Sequence, residues 1–310
     1  MTTASFADAD ADPADDDHGP AGQETIDRRD DFFSQRIEGL PKLGASNVVV
    51  TITSVTSRLA EAGFIAAREE AEELMACVAG SDVVLESLIE RRLRSEPLAW
   101  IIGSTTFCGL TIQVDPGVYV PRWQSEPLAR RALSRLPDNG TAIDLCTGSG
   151  CIAMVLMSQR PGSRVVASEL DDRAVSCATA NGVEVHSGDL FAPLPSELLG
   201  MVDVVVGVVP YVPSGSMAFL PRDTFAYESA LAYDGGDDGT SILRRVIRES
   251  PGFLRPGGAL VLELGGDEAN ALRSDFERHG FGEVVVFEDD DGDVRGVEAT
   301  FFRSGPAMIR

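Results

Sequence analysis

The sequence is poor in the residues that bind metals, cross-link chains and grip nucleic acids. It has three histidines, and its five cysteines (Cys77, Cys108, Cys146, Cys151 and Cys177) form no Cys-x-x-Cys pair. An odd, scattered set is no disulfide framework, and so few ligands predict no metal site; the cysteines read as small apolar packing residues. Lys and Arg number 26 against 49 Asp and Glu, a net charge of −23. That balance argues against a nucleic-acid partner, because phosphate binding needs a basic footprint. No apolar run approaches the roughly 18 residues of a membrane span. The stretch MTTASFADADADPADDD has neither the basic start nor the apolar core of a signal peptide, so a cytoplasmic protein is expected.

What is present is a chain of 310 residues, 44% apolar, long enough for one large domain or two modest ones. Residues 1–31 carry ten acids and two arginines with almost no aliphatic side chains. Such a segment cannot offset its ordering entropy by burial, so a disordered acidic tail is expected, with a docking tail as the functional alternative. Residues 32–103 are expected to form a helical N-terminal domain. TSVTSRLAEAGF, AAREEAEELMACVAG and SDVVLESLIERRLRSEP repeat apolar residues every three or four positions, with Ser81-Asp82 as an N-cap and Gly63 and Gly80 as closures. FCGLTIQVDPGVYVPR then alternates with period two. The turn signal Asp115-Pro116-Gly117 predicts a β-hairpin, so that residues 104–122 form a linker.

Residues 123–310 read as the ligand-binding domain. A helix over Glu126–Leu136 is followed by strand–helix repeats, the strands being TAIDLC, RVVASEL, GVEVHSGD, VDVVVGV and GALVLELG. Near-continuous Val, Ile and Leu strands between helices predict an α/β fold with a parallel sheet covered on both faces. GEVVVFED and GVEATFFR add a closing antiparallel pair around the solvated turn EDDDGD, which separates the sheet from a plain nucleotide-binding one.

Three acids mark one edge of that sheet. Asp144 in DLCTGSG ends the first strand, where it can accept a hydrogen bond from a ligand amine. Gly148 and Gly150 lack Cβ atoms, so the chain can turn tightly and admit a ligand close to the backbone. Glu169 ends the second strand, where a carboxylate can take both hydroxyls of a ribose. Asp189 closes the third, where it can meet an adenine amine. Cys146, Thr147, Leu170 and Leu190 lie beside them as candidate cofactor-binding residues. With no GxGxxG and no basic cluster for a pyrophosphate, the acids favour a cationic adenosine-bearing ligand, and S-adenosylmethionine fits.

The chain also resembles a known family. EPLAWIIGSTTFCGLTIQVDPGVYVPR (Glu96–Arg122), DLCTGSGCIA, LAYDGGDDG (Leu231–Gly239) followed by SILRRVI, LRPGGALVLELG and DVRGVEATF resemble, in order, segments of the HemK/PrmC methyltransferases. These enzymes methylate the side-chain amide of a glutamine in peptide release factors. The resemblance spans roughly residues 47–305. It implies an N-terminal helical domain, a β-hairpin linker and a seven-stranded Rossmann-like methyltransferase sheet, with S-adenosylmethionine as cofactor and S-adenosylhomocysteine as product.

Two departures bear on the substrate. Where the family has Asn-Pro-Pro-Tyr, this chain has Val208, Val209, Pro210 and Tyr211. The family's asparagine side chain and proline carbonyl hold the glutamine amide; Val208 cannot, and an apolar pocket would bury the amide unpaired at about 1–3 kcal/mol. Where the family has Pro-Glu-Thr-Glu after Arg122, this chain has Trp123-Gln124-Ser125-Glu126. Trp123 is either a packing residue or an aromatic wall of the substrate pocket, beside Arg122.

The expected acceptor is therefore an apolar or aromatic small molecule of natural-product biosynthesis. Tyr211, Glu228 and Glu126 are the candidate bases, and His186 is placed at the far end of a strand. Three alternatives stand. The resemblance implies either release-factor glutamine methylation, or closure of a cyclopropane ring on a sulfonium-bearing intermediate made by a radical partner enzyme. The third is a non-catalytic cofactor-binding protein.

Overall fold

The computed structural model describes residues 50–78, 81–220, 222–265, 268–289 and 291–302. The acidic tail, residues 32–49 and Gly80 lie outside the described residues. Among those described, no helix is long and apolar enough to cross a membrane.

Four helices come first: α1 (Ile52–Glu61), α2 (Ala67–Ala76), α3 (Asp82–Leu93) and α4 (Leu98–Ile102). Thr51 and Ser54 cap α1 reciprocally, each satisfying an amide that the first turn leaves open. Ser81 holds the N-cap position of α3, but its side chain makes no capping hydrogen bond. The helices bury Leu59, Leu74, Leu88 and Ile89 between them. Arg92, 6% exposed, is paired with Glu70 at 2.6 Å.

A two-stranded ribbon follows, β1 (Ser104–Phe107) and β2 (Leu110–Gln113). Its turn is Cys108-Gly109, with φ of 48° and 77°. This corrects the expected turn at Asp115-Pro116-Gly117, which instead bends the chain after β2, where the Val118 amide donates to the Asp115 carbonyl at 3.1 Å. Two residues with positive φ match the twist of the ribbon; Asp-Pro-Gly is a stronger signal in sequence but lies beyond the paired residues. The indole of Trp100 donates to the buried Val118 carbonyl at 2.9 Å, tying α4 to this bend.

After α5 (Glu126–Arg135), the chain alternates β3 (Thr141–Leu145), α6 (Cys151–Gln159), β4 (Arg164–Glu169), α7 (Asp172–Ala180), β5 (Glu184–Ser187) and β6 (Val202–Gly207). It continues through α8 (Arg222–Tyr227), α9 (Ser241–Glu249), β7 (Leu254–Glu263), α10 (Glu268–Arg278), β8 (Phe281–Glu288) and β9 (Val294–Phe301). The seven strands are ordered β5-β4-β3-β6-β7-β9-β8. β3 to β7 pair in parallel, and β9 runs antiparallel between β7 and β8.

Alternation along each strand divides the core into two layers. Val204, Val206, Ala259 and Val261 pack on one face with Leu128 and Leu156. Val205, Leu260 and Leu262 pack on the other with Val246 and Phe276. The order reverses between β3 and β6, and such a switch point opens a crevice at the carboxyl ends of the strands.

Trp100→Phe removes the indole N–H together with part of the ring, leaving the buried Val118 carbonyl unpaired at about 1–3 kcal/mol, with a further cost for the void. Urea unfolding should show a lower midpoint with an unchanged slope; an unchanged midpoint would contradict the role given to this bond.

Candidate active site

At the crevice, the carboxyl ends of β3, β4 and β5 bring Asp144, Glu169 and Asp189 to one cavity of about 490 Å³, which Cys146, Thr147, Gly148, Leu170 and Leu190 also line. The loop after β3 turns through Cys146 (φ 53°), Gly148 (φ 59°) and Gly150 (φ 82°). Asp144 is 1% exposed; its Oδ2 accepts from the Thr147 hydroxyl at 2.6 Å and the Ala153 amide at 3.1 Å. Glu169 accepts from the Gly148 amide at 2.9 Å and from the amides of Leu170 and Asp171. Asp189 is paired with Arg245 of α9 at 2.7 Å.

The two glycines serve different ends. A Cβ on Gly148 would meet no atom within 4 Å among the described residues, so this position opens onto the cavity. A Cβ on Gly150 would lie 2.8 Å from Val183 Cγ2; Gly150 permits close packing behind the loop and does not line the cavity.

The Val208–Tyr211 turn lies at the carboxyl end of β6. Val208 and Pro210 line the same cavity as the three acids. Val209 points to the opposite face of the sheet, 1% exposed within the second core layer, so its side chain is no part of the pocket wall. Tyr211 lines a second cavity of about 500 Å³ with Arg122, Gln124, Tyr233 and Glu263. Tyr119 borders both cavities.

The turn is held by the glycine-rich segment after α8. The Val212 amide donates to the Tyr233 carbonyl, and the Gly235 amide to the Val212 carbonyl, each at 2.8 Å. A Cβ on Gly235 would come within 2.7 Å of Tyr211 Cα, so only glycine lets the two backbones meet this closely.

Two of the three expected bases, Glu228 and Glu126, and the expected aromatic wall border neither cavity, whereas Tyr211 lines the second. Glu228 has a fully buried side chain clamped by Arg122 at 2.8 Å, by the Val120 amide at 3.0 Å and by the Tyr233 hydroxyl. It ties the bend after β2 to the segment after α8. Glu126 accepts from the Cys108 amide at 2.8 Å and pairs with Arg130, bordering neither cavity. Trp123 is 61% exposed, its ring 5.6 Å from the Arg295 guanidinium, and borders neither cavity. His186, expected at a far strand end, instead pairs with Ser168 near the carboxyl edge, where it meets Glu184 and borders neither cavity. Tyr211 donates to Glu263 Oε1 at 3.0 Å, and burial first, then the Glu263 charge, raises its phenol well above the ordinary value.

The chain is 35% identical over 227 residues to a protein of Geobacter sulfurreducens named release factor glutamine methyltransferase, covering 71% of this chain and 76% of that one. It is 34% identical to a protein of the same name from Mycolicibacterium smegmatis, covering 80% and 96%. The chain belongs to the HemK/PrmC family of S-adenosylmethionine-dependent methyltransferases. Among solved structures, the release factor-specific protein-(glutamine-N5) methyltransferase of Alicyclobacillus acidocaldarius is 27% identical, with a TM-score of 0.37 over 61% of this chain and 99% of that one. No protein-family model matches the sequence.

The first cavity fits the family's cofactor. The space beyond Gly148 admits a group against the backbone, and three carboxylates face a ligand that carries a sulfonium and an ammonium. Cys146 is a wall rather than a nucleophile, since burial and then the Glu169 charge raise its thiol far above the usual range. Sequence reasoning passed over Arg245, Tyr119, Ser125 and Glu263. A signal for the last was visible: Glu263 is the one charged residue in the apolar run ALVLELG.

Burial, with a smaller push from Glu169, raises the Asp144 carboxyl to about 7, against the hydrogen bonds from Thr147 and Ala153. Folded protein thus keeps a proton that the unfolded chain releases near pH 4. This group's contribution to stability is full below about 4 and is lost as pH rises through about 7. A cationic ligand favours the ionised form, so S-adenosylmethionine affinity should rise about three- to tenfold from pH 6 to 8. Calorimetry should show that dependence flattened in Asp144→Asn; an equal slope in the variant would contradict it.

Proposed function

We propose that this protein transfers a methyl group from S-adenosylmethionine to the side-chain amide nitrogen of a glutamine in a peptide release factor. One observation carries the reading: the Mycolicibacterium smegmatis relative, named for that activity, is matched over 96% of its length at 34% identity. The geometry supports it in two ways. Only one of the two valines that replace the family's Asn-Pro touches the pocket, so the departure reduces to Val208. The second cavity is more polar than the first, with Arg122, Gln124, Thr224 and Tyr233 beside Leu220, Leu264 and Val294 in its wall, which suits an amide-bearing loop better than a wholly apolar small molecule.

Bound S-adenosylmethionine supplies an electrophilic methyl group on a sulfonium. The protein's own part is placement, since in-line transfer needs the acceptor held in register more than it needs a strong base. Asp144, Glu169 and Asp189 hold the cofactor end. The Pro210-Tyr211 turn, cradled by Gly235, sets the acceptor end. The carbonyl of Val209 remains available to an amide N–H. Methylation of a small apolar acceptor keeps one supporting observation, the apolar side chain of Val208 in the cofactor cavity.

Incubation with labelled S-adenosylmethionine and a release factor bearing a Gly-Gly-Gln loop should label that glutamine stoichiometrically. An unlabelled release factor, from protein shown by calorimetry to bind the cofactor, would overturn the reading in favour of another acceptor.

A further inference from the structure

Of the three strand-end acids in the cofactor cavity, one is held by a side chain from a distant part of the chain. Asp144 and Glu169 are engaged by groups of the loops and helix start beside them, Thr147 and Ala153 for the first, the amides of Gly148, Leu170 and Asp171 for the second. Asp189 differs. Its Oδ2 accepts from the guanidinium of Arg245 on α9 at 2.7 Å, a partner 56 residues further on, and among the described residues no hydrogen bond engages its Oδ1. Arg245 is also the one cation among the described residues of the cavity wall, against Asp144, Glu169, Asp171, Asp189 and Asp234.

The surroundings of this pair fit a flat heterocycle. Ile242 and Arg245 lie one helical turn apart on α9, so they share a face of that helix, and both line the cavity. Leu190 follows Asp189 directly and lines the same wall. Leu170 and Leu231 line it too, yet are 56% and 62% exposed. Large apolar side chains at a cavity rim gain by being covered with an apolar ring. Adenine combines the two features required, apolar faces for the aliphatic side chains and an edge amine that donates to a carboxylate. A 6-oxo purine differs at that edge, with an acceptor in place of the amine and a donor on the adjacent ring nitrogen.

We propose that Arg245 is a positioning residue for cofactor selectivity: by engaging Asp189 Oδ2 it leaves Oδ1 as a fixed acceptor for the adenine amine, so that the cavity takes a 6-amino purine and rejects a 6-oxo one. A carboxylate free to turn can follow the donor, accepting from the exocyclic amine of one base or from the ring N–H of the other. A carboxylate pinned at Oδ2 cannot follow, and it meets the carbonyl oxygen of the 6-oxo base with no hydrogen between them. The paired side chains are 34% and 51% exposed, so the pair adds little to the stability of the fold, and its effect is on direction. The inference rests on the first cavity being the cofactor site and is independent of the acceptor.

The test measures, by calorimetry on the full-length chain, the affinities for S-adenosylhomocysteine and S-inosylhomocysteine in wild type, Arg245→Ala, Arg245→Lys and Asp189→Asn. Wild type should prefer the adenosyl compound about tenfold or more, the worth of one hydrogen bond to a charged group. Arg245→Ala should narrow that preference to about threefold or less, since the freed carboxylate can serve either base. Arg245→Lys keeps a cationic donor and should retain more of the preference than alanine does. Asp189→Asn should abolish it, because a carboxamide can accept from the amine or donate to the carbonyl oxygen. A preference unchanged in Arg245→Ala or in Asp189→Asn would overturn the proposal. So would an equal loss of affinity for both compounds in Arg245→Ala, the mark of a merely structural role, or a wild type that binds both alike. A wild type that binds neither compound would sink the cofactor reading of the cavity and the inference with it, an outcome distinct from binding without preference.

Discussion

The site depends on the reversal of strand order between β3 and β6. Strands on the two sides of that point send their following loops in opposite directions, and no connection covers the gap at their carboxyl ends. The β3, β4 and β5 ends carry Asp144, Glu169 and Asp189 to one side of it, and the β6 and β7 ends carry Val208 and Glu263 to the other. Val208 and Pro210 nonetheless line the same cavity as the three acids, so the two sides of the switch point meet there. The strands that end at this edge are buried on both faces by Val, Ile and Leu side chains.

Buried carboxylates hold the loops around this edge, and each is matched differently. Glu228 is saturated by Arg122, Tyr233 and the Val120 amide, and a saturated buried carboxylate is a clamp rather than a base. Asp144 is half satisfied by its own loop and loses charge through burial, which leaves it sensitive to a cationic ligand. Glu263 accepts from the Tyr211 hydroxyl at 3.0 Å, and hydrogen bonds from Ser125 and Tyr211 oppose the rise that burial imposes on its carboxyl.

Much of this was legible in the sequence, for physical reasons. Runs such as VDVVVG and ALVLEL can hardly be anything but doubly covered strands, and an acid directly after such a run must lie at a sheet edge. The opposite facing of Val208 and Val209 was also written in the period-two alternation, though the pair reads at first as a single apolar change. Tertiary pairing was not legible. Glu228 meets Arg122 across more than a hundred residues, and no local pattern announces it. The ribbon turn at Cys108-Gly109 was hidden because cysteine carries no turn signal, while Asp-Pro-Gly a few residues on carries a strong one. Trp123 looked like a pocket wall by proximity in sequence to Arg122, but the short helical turn that follows Arg122 carries its ring out to Arg295.

The central claim is that a glutamine amide meets the cofactor at the Val208–Tyr211 turn. The most direct measurement is a crystal structure of the protein with S-adenosylhomocysteine and a peptide of the release-factor loop. The account predicts the adenosine beside Glu169 and the loop Gln side chain against Val208 and Pro210. A glutamine side chain seated away from that turn, with the adenosine still beside Glu169, would contradict it.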